Sequence, residues 1–292
     1  DAEGPIPAVF EQQIAAARAA GRFVPFYYTV PDGHNPAGFS FSAKRRLEIL
    51  AIARREGILI VEDAPYLYIN FAAPKDRQQP FISLDPQQTV HLFTGSKIGF
   101  PGPRVAYLYS EATIEINHGE QASLAELALL QASADILFPN PGAFLGFEAL
   151  LHEADFSERK SLWPVAEEKL HVYRENREIM LNGFESALGA YPDIFHWTVP
   201  MAGFFSVFTF LSGKVRTDDN FIRQLVTDYG LVVIPMYDFY PPDARLRNPN
   251  AGLDQLRISF CFSESSGAQR RKDLTEAVST FCTAIKHLAG VA

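Results

Sequence analysis

Cysteine is scarce in this chain of 292 residues: Cys261 and Cys282 are the only two. Two thiols cannot build a disulfide framework or a zinc cluster, and their scarcity fits a reducing, cytoplasmic setting. Positive charge is also in deficit. The 26 Lys and Arg stand against 34 Asp and Glu, a net charge of −8. Faces that bind nucleic acid are basic, so no nucleic-acid contact is expected from this portion. No run approaches the ~18 uninterrupted apolar residues of a membrane helix, and the opening residues do not read as a signal peptide. Internal repeats and low-complexity tracts are lacking too. What is present is an ordinary globular mixture, 47% hydrophobic and 21% charged, with 24 Phe and 11 Tyr to fill a core. The length is about two units of ~150 residues, so one large or two moderate domains are expected.

Short apolar runs alternate with amphipathic stretches. Phe23 to Val30 reads as a strand weakened early by Pro25. Ser42 can cap a helix that runs to Glu56 and ends at Gly57, with Leu47, Leu50 and Ala51 opposite Lys44, Arg45, Arg46 and Arg54. Ile58 to Val61 is a continuous apolar strand of the kind buried in a parallel sheet. Thr89 to Thr94 and Val105 to Tyr109 are further strands. Ser123 to Ile136 and Glu158 to Leu188 read as helices. A second set follows: strand Phe204 to Phe210, helix Asp218 to Tyr229, strands Leu231 to Ile234 and Leu256 to Phe262, and helix Ala268 to Leu288. Pro241 to Asn250 reads as a surface loop. Strand, helix, strand at this spacing predicts an α/β architecture, with a domain boundary inside the long helix that divides residues 1–165 from 166–292.

Three polar motifs directly follow three apolar strands: Asp32-Gly33-His34-Asn35-Pro36-Ala37-Gly38, Glu62-Asp63-Ala64-Pro65-Tyr66 and Thr94-Gly95-Ser96-Lys97. In open α/β sheets ligands bind outside the carboxyl ends of the strands, so parallel pairing would bring these loops to one crevice. Asp63 at the end of a buried strand calls for a cationic partner. A desolvated Lys97 loses its proton more readily and becomes nucleophilic. Arg104 follows seven residues later across a Gly- and Pro-rich turn, and with the Thr94 and Ser96 hydroxyls it makes a natural phosphate site. Amine, carboxylate, phenol, amide and phosphate clamp together match one ligand, pyridoxal 5′-phosphate.

At these residues the sequence resembles the fold-type I pyridoxal-phosphate-dependent aminotransferases of class I/II, nearest to the 2-aminoadipate and kynurenine aminotransferase branch. The resemblance rests on Tyr28-Thr29-Val30-Pro31 with Asn35-Pro36-Ala37-Gly38, on Glu62-Asp63-Ala64-Pro65-Tyr66, on Thr94-Gly95-Ser96-Lys97 with Arg104, and on Leu256-Arg257-Ile258-Ser259-Phe260. It implies a type I fold, with a large, mostly parallel sheet domain and a smaller C-terminal α+β domain. It implies that Lys97 forms the internal aldimine and carries the proton between substrate Cα and cofactor. By the same resemblance Asp63 pairs with the pyridine nitrogen, Asn35 and Tyr66 hold the phenolic oxygen, and Thr94, Ser96 and Arg104 bind phosphate. Arg257 grips the substrate carboxylate, the substrates being an amino acid and a 2-oxo acid, and the protein is a homodimer. No metal is implied.

Two departures stand out. Met236 replaces a glycine usual in the family, which predicts a differing loop at Pro235 to Phe239. Asp1 begins after the family's Gly-rich phosphate cup, stacking aromatic and N-terminal arm, so either the chain is a fragment of a longer protein or those contacts come from elsewhere.

Each residue has a plainer reading. Lys97 alone could be a solvated lysine, Asp63 a strand-end cap, Asn35-Pro36 a turn, and Arg104 or Arg257 an ion-pair residue. His34 reads as a loop residue near the site and His91 as a satisfied interior histidine. Both cysteines read as inert buried thiols, and Phe204, Phe205 and Phe208 as core. Tyr237, Phe239 and Tyr240 fit either a pocket wall or a loop anchor. Two other functions remain open: a pyridoxal-phosphate lyase or decarboxylase on the same fold, and an effector-sensing domain of a winged-helix transcription regulator.

Overall fold

The computed structural model describes residues 1–291 apart from residues 100, 103, 118, 137–139 and 265. The chain forms two units. One comprises Asp1–His34 with Phe39–Lys169, the other Asn35–Gly38 with Leu170–Ala292.

The first unit contains α1 (Pro7–Ala19), β1 (Phe26–Thr29), α2 (Ala43–Glu56), β2 (Leu59–Asp63), α3 (Phe81–Leu84), β3 (Thr89–Thr94), β4 (Ala106–Tyr109), the hairpin β5 (Thr113–Asn117) and β6 (Glu120–Ser123), α4 (Leu124–Ile136), α5 (Pro141–Glu148) and the start of α6 (Trp163–Leu188). The sheet order is β1-β2-β3-β4. The first three strands run parallel and β4 is antiparallel to β3.

Local chemistry sets these boundaries. Ser42 accepts the Arg45 N–H and opens α2, and Gly57 closes it in the left-handed conformation at φ +64°. The buried face of α2, Ile49, Leu50, Ile52 and Ala53, packs with Ile58, Ile60 and Phe81 in one core cluster. Burying a large aliphatic side chain contributes roughly 1.5–3 kcal/mol, so this layer holds the parallel sheet. Glu158–Leu162 lie outside α6, which starts at Trp163 with Pro164 in its first turn, a position where a missing N–H costs nothing.

Helix α1 has no counterpart in the apolar pattern, because only Ile14 of its thirteen residues is buried. The β5–β6 hairpin is polar and mostly exposed and carries no strand signal.

The second unit holds the rest of α6, β7 (Phe195–Trp197), β8 (Phe205–Phe210), α7 (Asp219–Tyr229), β9 (Ile234–Pro235), α8 (Pro242–Arg247), β10 (Gln255–Ser259) and α9 (Gly267–Leu288). Its sheet, β7-β8-β10-β9, is antiparallel throughout. Phe208 centres the core, with ring centroids 5.6 Å from Phe184 and 5.3 Å from Phe281. The sequence expectation of a strand over Leu231–Ile234 is corrected to the two residues of β9. The loop expected at Pro241–Asn250 contains α8, which Pro242 starts at its first position.

Candidate functional site

In the first unit the carboxyl ends of β2 and β3 carry most of the chemistry that the motifs predict. Asp63 is the last residue of β2. Its Oδ2 accepts a 2.6 Å hydrogen bond from the Tyr28 hydroxyl of β1. Burial of that hydroxyl and the adjoining Asp63 carboxylate push the Tyr28 phenol up to about 12, so it stays a donor through the neutral range. Tyr28 is a site neighbour that motif reading did not assign. The signal lies in strand register: Tyr28 pairs with Val61, so Tyr28 and Asp63 fall on one sheet face.

Beyond β3 the chain tightens into a 3-10 turn, Gly95–Lys97. Thr94 caps it by accepting the Ser96 N–H at 3.2 Å, and its hydroxyl donates to Val105 O at 3.0 Å. The Thr94 and Ser96 hydroxyl oxygens are 3.0 Å apart. Arg104 Nη1 donates to Ser96 Oγ at 3.3 Å. Arg104 itself sits at φ +59°, uncommon for a side-chain-bearing residue. Phe100 and Pro103 of the intervening turn lie outside the described residues. Two hydroxyls and a guanidinium therefore converge beside Lys97. The half-buried Lys97 points its Nζ at the buried Tyr66, 5.9 Å from the ring centroid. The structure thus brings Asp63, Tyr66, Thr94, Ser96, Lys97 and Arg104 to neighbouring strand ends of one unit.

A second charged layer lies on the opposite face of β2, and motif reading did not find it. Arg46 of α2 is fully buried, and its Nη2 meets Asp32 Oδ1 at 2.7 Å while Nη1 faces Glu62 Oε1 at 3.8 Å. Glu62 also accepts the Phe81 and Ile82 N–H groups and contacts His91 Nδ1 at 2.8 Å. His91 is thereby a satisfied interior histidine, as expected. Desolvation raises the Asp32 carboxyl above its ordinary value against the pull of Arg46.

In the second unit Asn35 and Arg257 come together from positions 222 residues apart: Arg257 Nη1 donates to Asn35 Oδ1 at 2.7 Å. The Arg257 guanidinium also lies 4.3 Å from the Phe205 ring centroid and 4.9 Å from that of Phe239, a fixed platform for a planar fork of donors. Asn35 precedes a cis Pro36, and Gly38 at φ +73° comes so near β8 that a Cβ would stand 2.2 Å from Phe205 O. Phe239 thus packs against the Arg257 guanidinium, while the Tyr237 hydroxyl anchors its loop on Asp219.

The remaining expectations resolve individually. The His34 ring stacks on Phe39 at 4.9 Å, and burial lowers its pKa. Met236 is buried and begins an ordinary 3-10 turn, so that position does not require glycine. Cys282 is a buried thiol pushed up to about 11 by desolvation, whereas Cys261 is exposed, which corrects its expected burial. Among the described residues no cluster of His, Cys, Asp or Glu could hold a metal ion, and no helix is long and apolar enough to cross a membrane.

The family model for aminotransferase class I and II matches residues 31–262. Among similar proteins, the (S)-3,5-dihydroxyphenylglycine transaminase of Amycolatopsis orientalis is 27% identical, covering 89% of this chain and 54% of that protein. The mitochondrial kynurenine/alpha-aminoadipate aminotransferase of Bos taurus is 29% identical over 80% of this chain and 52% of that protein. The chain spans about half the length of these curated relatives. The crystal structure of Pyrococcus horikoshii kynurenine aminotransferase, solved with PMP, superposes with a TM-score of 0.77 at 21% identity, over 98% of this chain and 62% of that one. The type I fold expected from the motifs is the fold this likeness shows.

Proposed function

Because the chain belongs to the aminotransferase class I and II family, we propose that it works as a pyridoxal-5′-phosphate-dependent aminotransferase, moving an amino group from an L-amino acid to a 2-oxo acid. The observation that carries this reading is the set of groups at the strand ends of the first unit: Lys97 over Tyr66, Asp63 held by Tyr28, and Thr94, Ser96 and Arg104 joined by hydrogen bonds.

The donor set fits the cofactor group by group. Thr94, Ser96 and Arg104 suit a phosphate, because hydroxyls and a guanidinium offer several donors at one point. Asp63, whose Oδ2 accepts from Tyr28, would pair with the pyridine nitrogen. In the first unit Tyr66 would supply a partner for the phenolic oxygen; the same role for Asn35 is carried by the family resemblance alone. Lys97 would anchor the aldehyde carbon and, once released as a free amine, would move a proton at the substrate Cα. When bound, the cofactor supplies an electron sink for the pair left at that carbon. Arg257, fixed by Asn35 and two aromatic rings, orients the substrate through its carboxylate. That orientation decides which Cα bond is broken.

A cofactor-binding domain of residues 1–165, a C-terminal domain of residues 166–292, a homodimeric assembly and a cytoplasmic setting belong to the same proposal. The family resemblance supports the first three, and the scarcity of cysteine supports the last.

The test is an absorption spectrum of the full chain with pyridoxal 5′-phosphate, followed by addition of an L-amino acid alone. The wild type should show the yellow band of lysine-bound cofactor, Lys97→Ala should lose it, and the amino acid should convert bound cofactor to pyridoxamine phosphate. A band unchanged in Lys97→Ala refutes the anchor. Product release with the cofactor still an aldehyde indicates a lyase or decarboxylase instead.

A further inference from the structure

Behind the strand ends that carry Asp63 and Lys97 lies a charged layer that the proposed chemistry leaves unused. The side chains of Arg46, Asp32 and Glu62 are at most 1% exposed, and that of His91 is 13% exposed. Stability alone does not call for it, since a buried ion set often contributes no more than apolar residues of equal volume. Its geometry ties three elements to one carboxylate of β2. Glu62 accepts the Phe81 N–H at 2.7 Å and the Ile82 N–H at 3.3 Å from α3, meets His91 Nδ1 of β3 at 2.8 Å, and faces Arg46 Nη1 of α2 at 3.8 Å. Arg46 continues to Asp32 behind β1 at 2.7 Å and to Phe41 O at 3.3 Å.

Successive side chains of a strand point to opposite faces. Fixing Glu62 on one face therefore fixes the direction in which its neighbour Asp63 leaves the other. Asp63 is the terminal residue of β2, and its carboxylate accepts from the Tyr28 hydroxyl. A binding group needs its geometry held to within ~0.5 Å by the residues behind it. Tyr28 meets only the tip of the carboxylate, whereas Glu62 controls the backbone from which that carboxylate projects.

We infer that Glu62 is a positioning residue of the cofactor site, anchored on α2, α3 and β3 so that the end of β2 presents Asp63 to the pyridine nitrogen. This rests on the reading of Asp63 as the partner of that nitrogen. Glu62 itself touches neither substrate nor cofactor in that arrangement and acts through Asp63.

The experiment uses the full chain loaded with pyridoxal 5′-phosphate labelled with ¹⁵N in the ring, comparing wild type, Glu62→Gln and Asp63→Asn. Glutamine keeps the size of Glu62 but has one acceptor oxygen where the carboxylate has two. It cannot serve α3, His91 and Arg46 together. Glu62→Gln should weaken cofactor binding roughly tenfold, the lower end of what losing an outer-layer partner costs a metal site. It should also move the ring ¹⁵N signal towards the unprotonated position and lower kcat with little change in KM for the amino donor, which Arg257 holds. Asp63→Asn should shift the signal further in the same direction.

If Asp63→Asn leaves the ¹⁵N signal unmoved, the reading of Asp63 fails and this inference with it. If Asp63→Asn moves the signal while Glu62→Gln keeps wild-type signal and affinity, the inference alone is overturned. Should circular dichroism show that Glu62→Gln does not fold, His91→Gln, which cuts only the β3 arm, must shift the signal the same way. A wild-type signal in that variant also overturns the inference.

Discussion

Asp32 and Glu62 set two carboxylates against the single guanidinium of Arg46 in a layer closed to water, so charge balance there depends on pH. Desolvation raises the Asp32 carboxyl above its ordinary value; the guanidinium of Arg46 opposes the shift, the Glu62 carboxylate adds to it, and a charged His91 would oppose it. The folded chain therefore keeps a proton that the unfolded chain has released above the usual carboxylate range of ~3.9. With the folded pKa raised, the associated stability is fully present below that range and is lost as pH rises through the folded value. Asp32→Asn removes this titration. The difference in unfolding free energy between Asp32→Asn and wild type should move in favour of the variant as pH rises above 4, by at most ~1.4 kcal/mol per pH unit for one whole proton. Urea unfolding at a series of pH values measures it, and a difference that does not change with pH would refute the assignment. Legibility at this scale followed sequence distance. Thr94, Ser96, Lys97 and Arg104 are near neighbours in the chain and could be read as a set. Tyr28, Arg46 and Glu62 gain their roles from strand register and helix packing, which no local motif encodes.

Among the elements, those with explicit start and stop residues were legible almost to the residue. Ser42 and Gly57 bound α2, Asp218 caps α7 by accepting the Asn220 and Phe221 N–H groups, and Gly230 ends it. Elements whose existence depends on a partner were not. Leu231–Val233 is apolar enough for a strand, yet only Ile234–Pro235 pairs with β10, and Val232 is 83% exposed. The Asn35–Gly38 loop depends on a partner as well, and Gly38 is where this can be tested. A Cβ at Gly38 would meet the Phe205 carbonyl at 2.2 Å, whereas one at Gly57, with a similar φ, would meet open space. Both alanine substitutions carry the backbone penalty of a positive φ, but only Gly38→Ala adds a clash with backbone that cannot rotate away. Gly38→Ala should therefore cost more than the ~1 kcal/mol expected of an ordinary positive-φ glycine, and more than Gly57→Ala. Equal losses in chemical denaturation would exclude the steric explanation.

At the scale of the molecule, each unit carries its own set of the proposed groups. The amine, the ring-nitrogen acid and the phosphate donors belong to the first unit, and the guanidinium with its aromatic platform belongs to the second. The α/β order was legible because strand–helix–strand spacing survives without knowledge of pairing. The route of residues 35–38 into the second unit was not, because it rests on a contact with a strand some 170 residues away in the chain. If this assignment of groups holds, cofactor and substrate should leave different footprints in amide hydrogen exchange, since ligand binding to the native state slows local opening. Pyridoxal 5′-phosphate should slow exchange at residues 59–63 and 94–98, and Lys97→Ala should weaken that protection. Adding a 2-oxo acid to the pyridoxamine form should slow exchange further at residues 205–210 and 255–259, and Arg257→Met should abolish only this second effect. Protection by the cofactor confined to residues 205–210 and 255–259 would place the phosphate and amine chemistry in the wrong unit, and the assignment of Thr94, Ser96, Lys97 and Arg104 would then fall together.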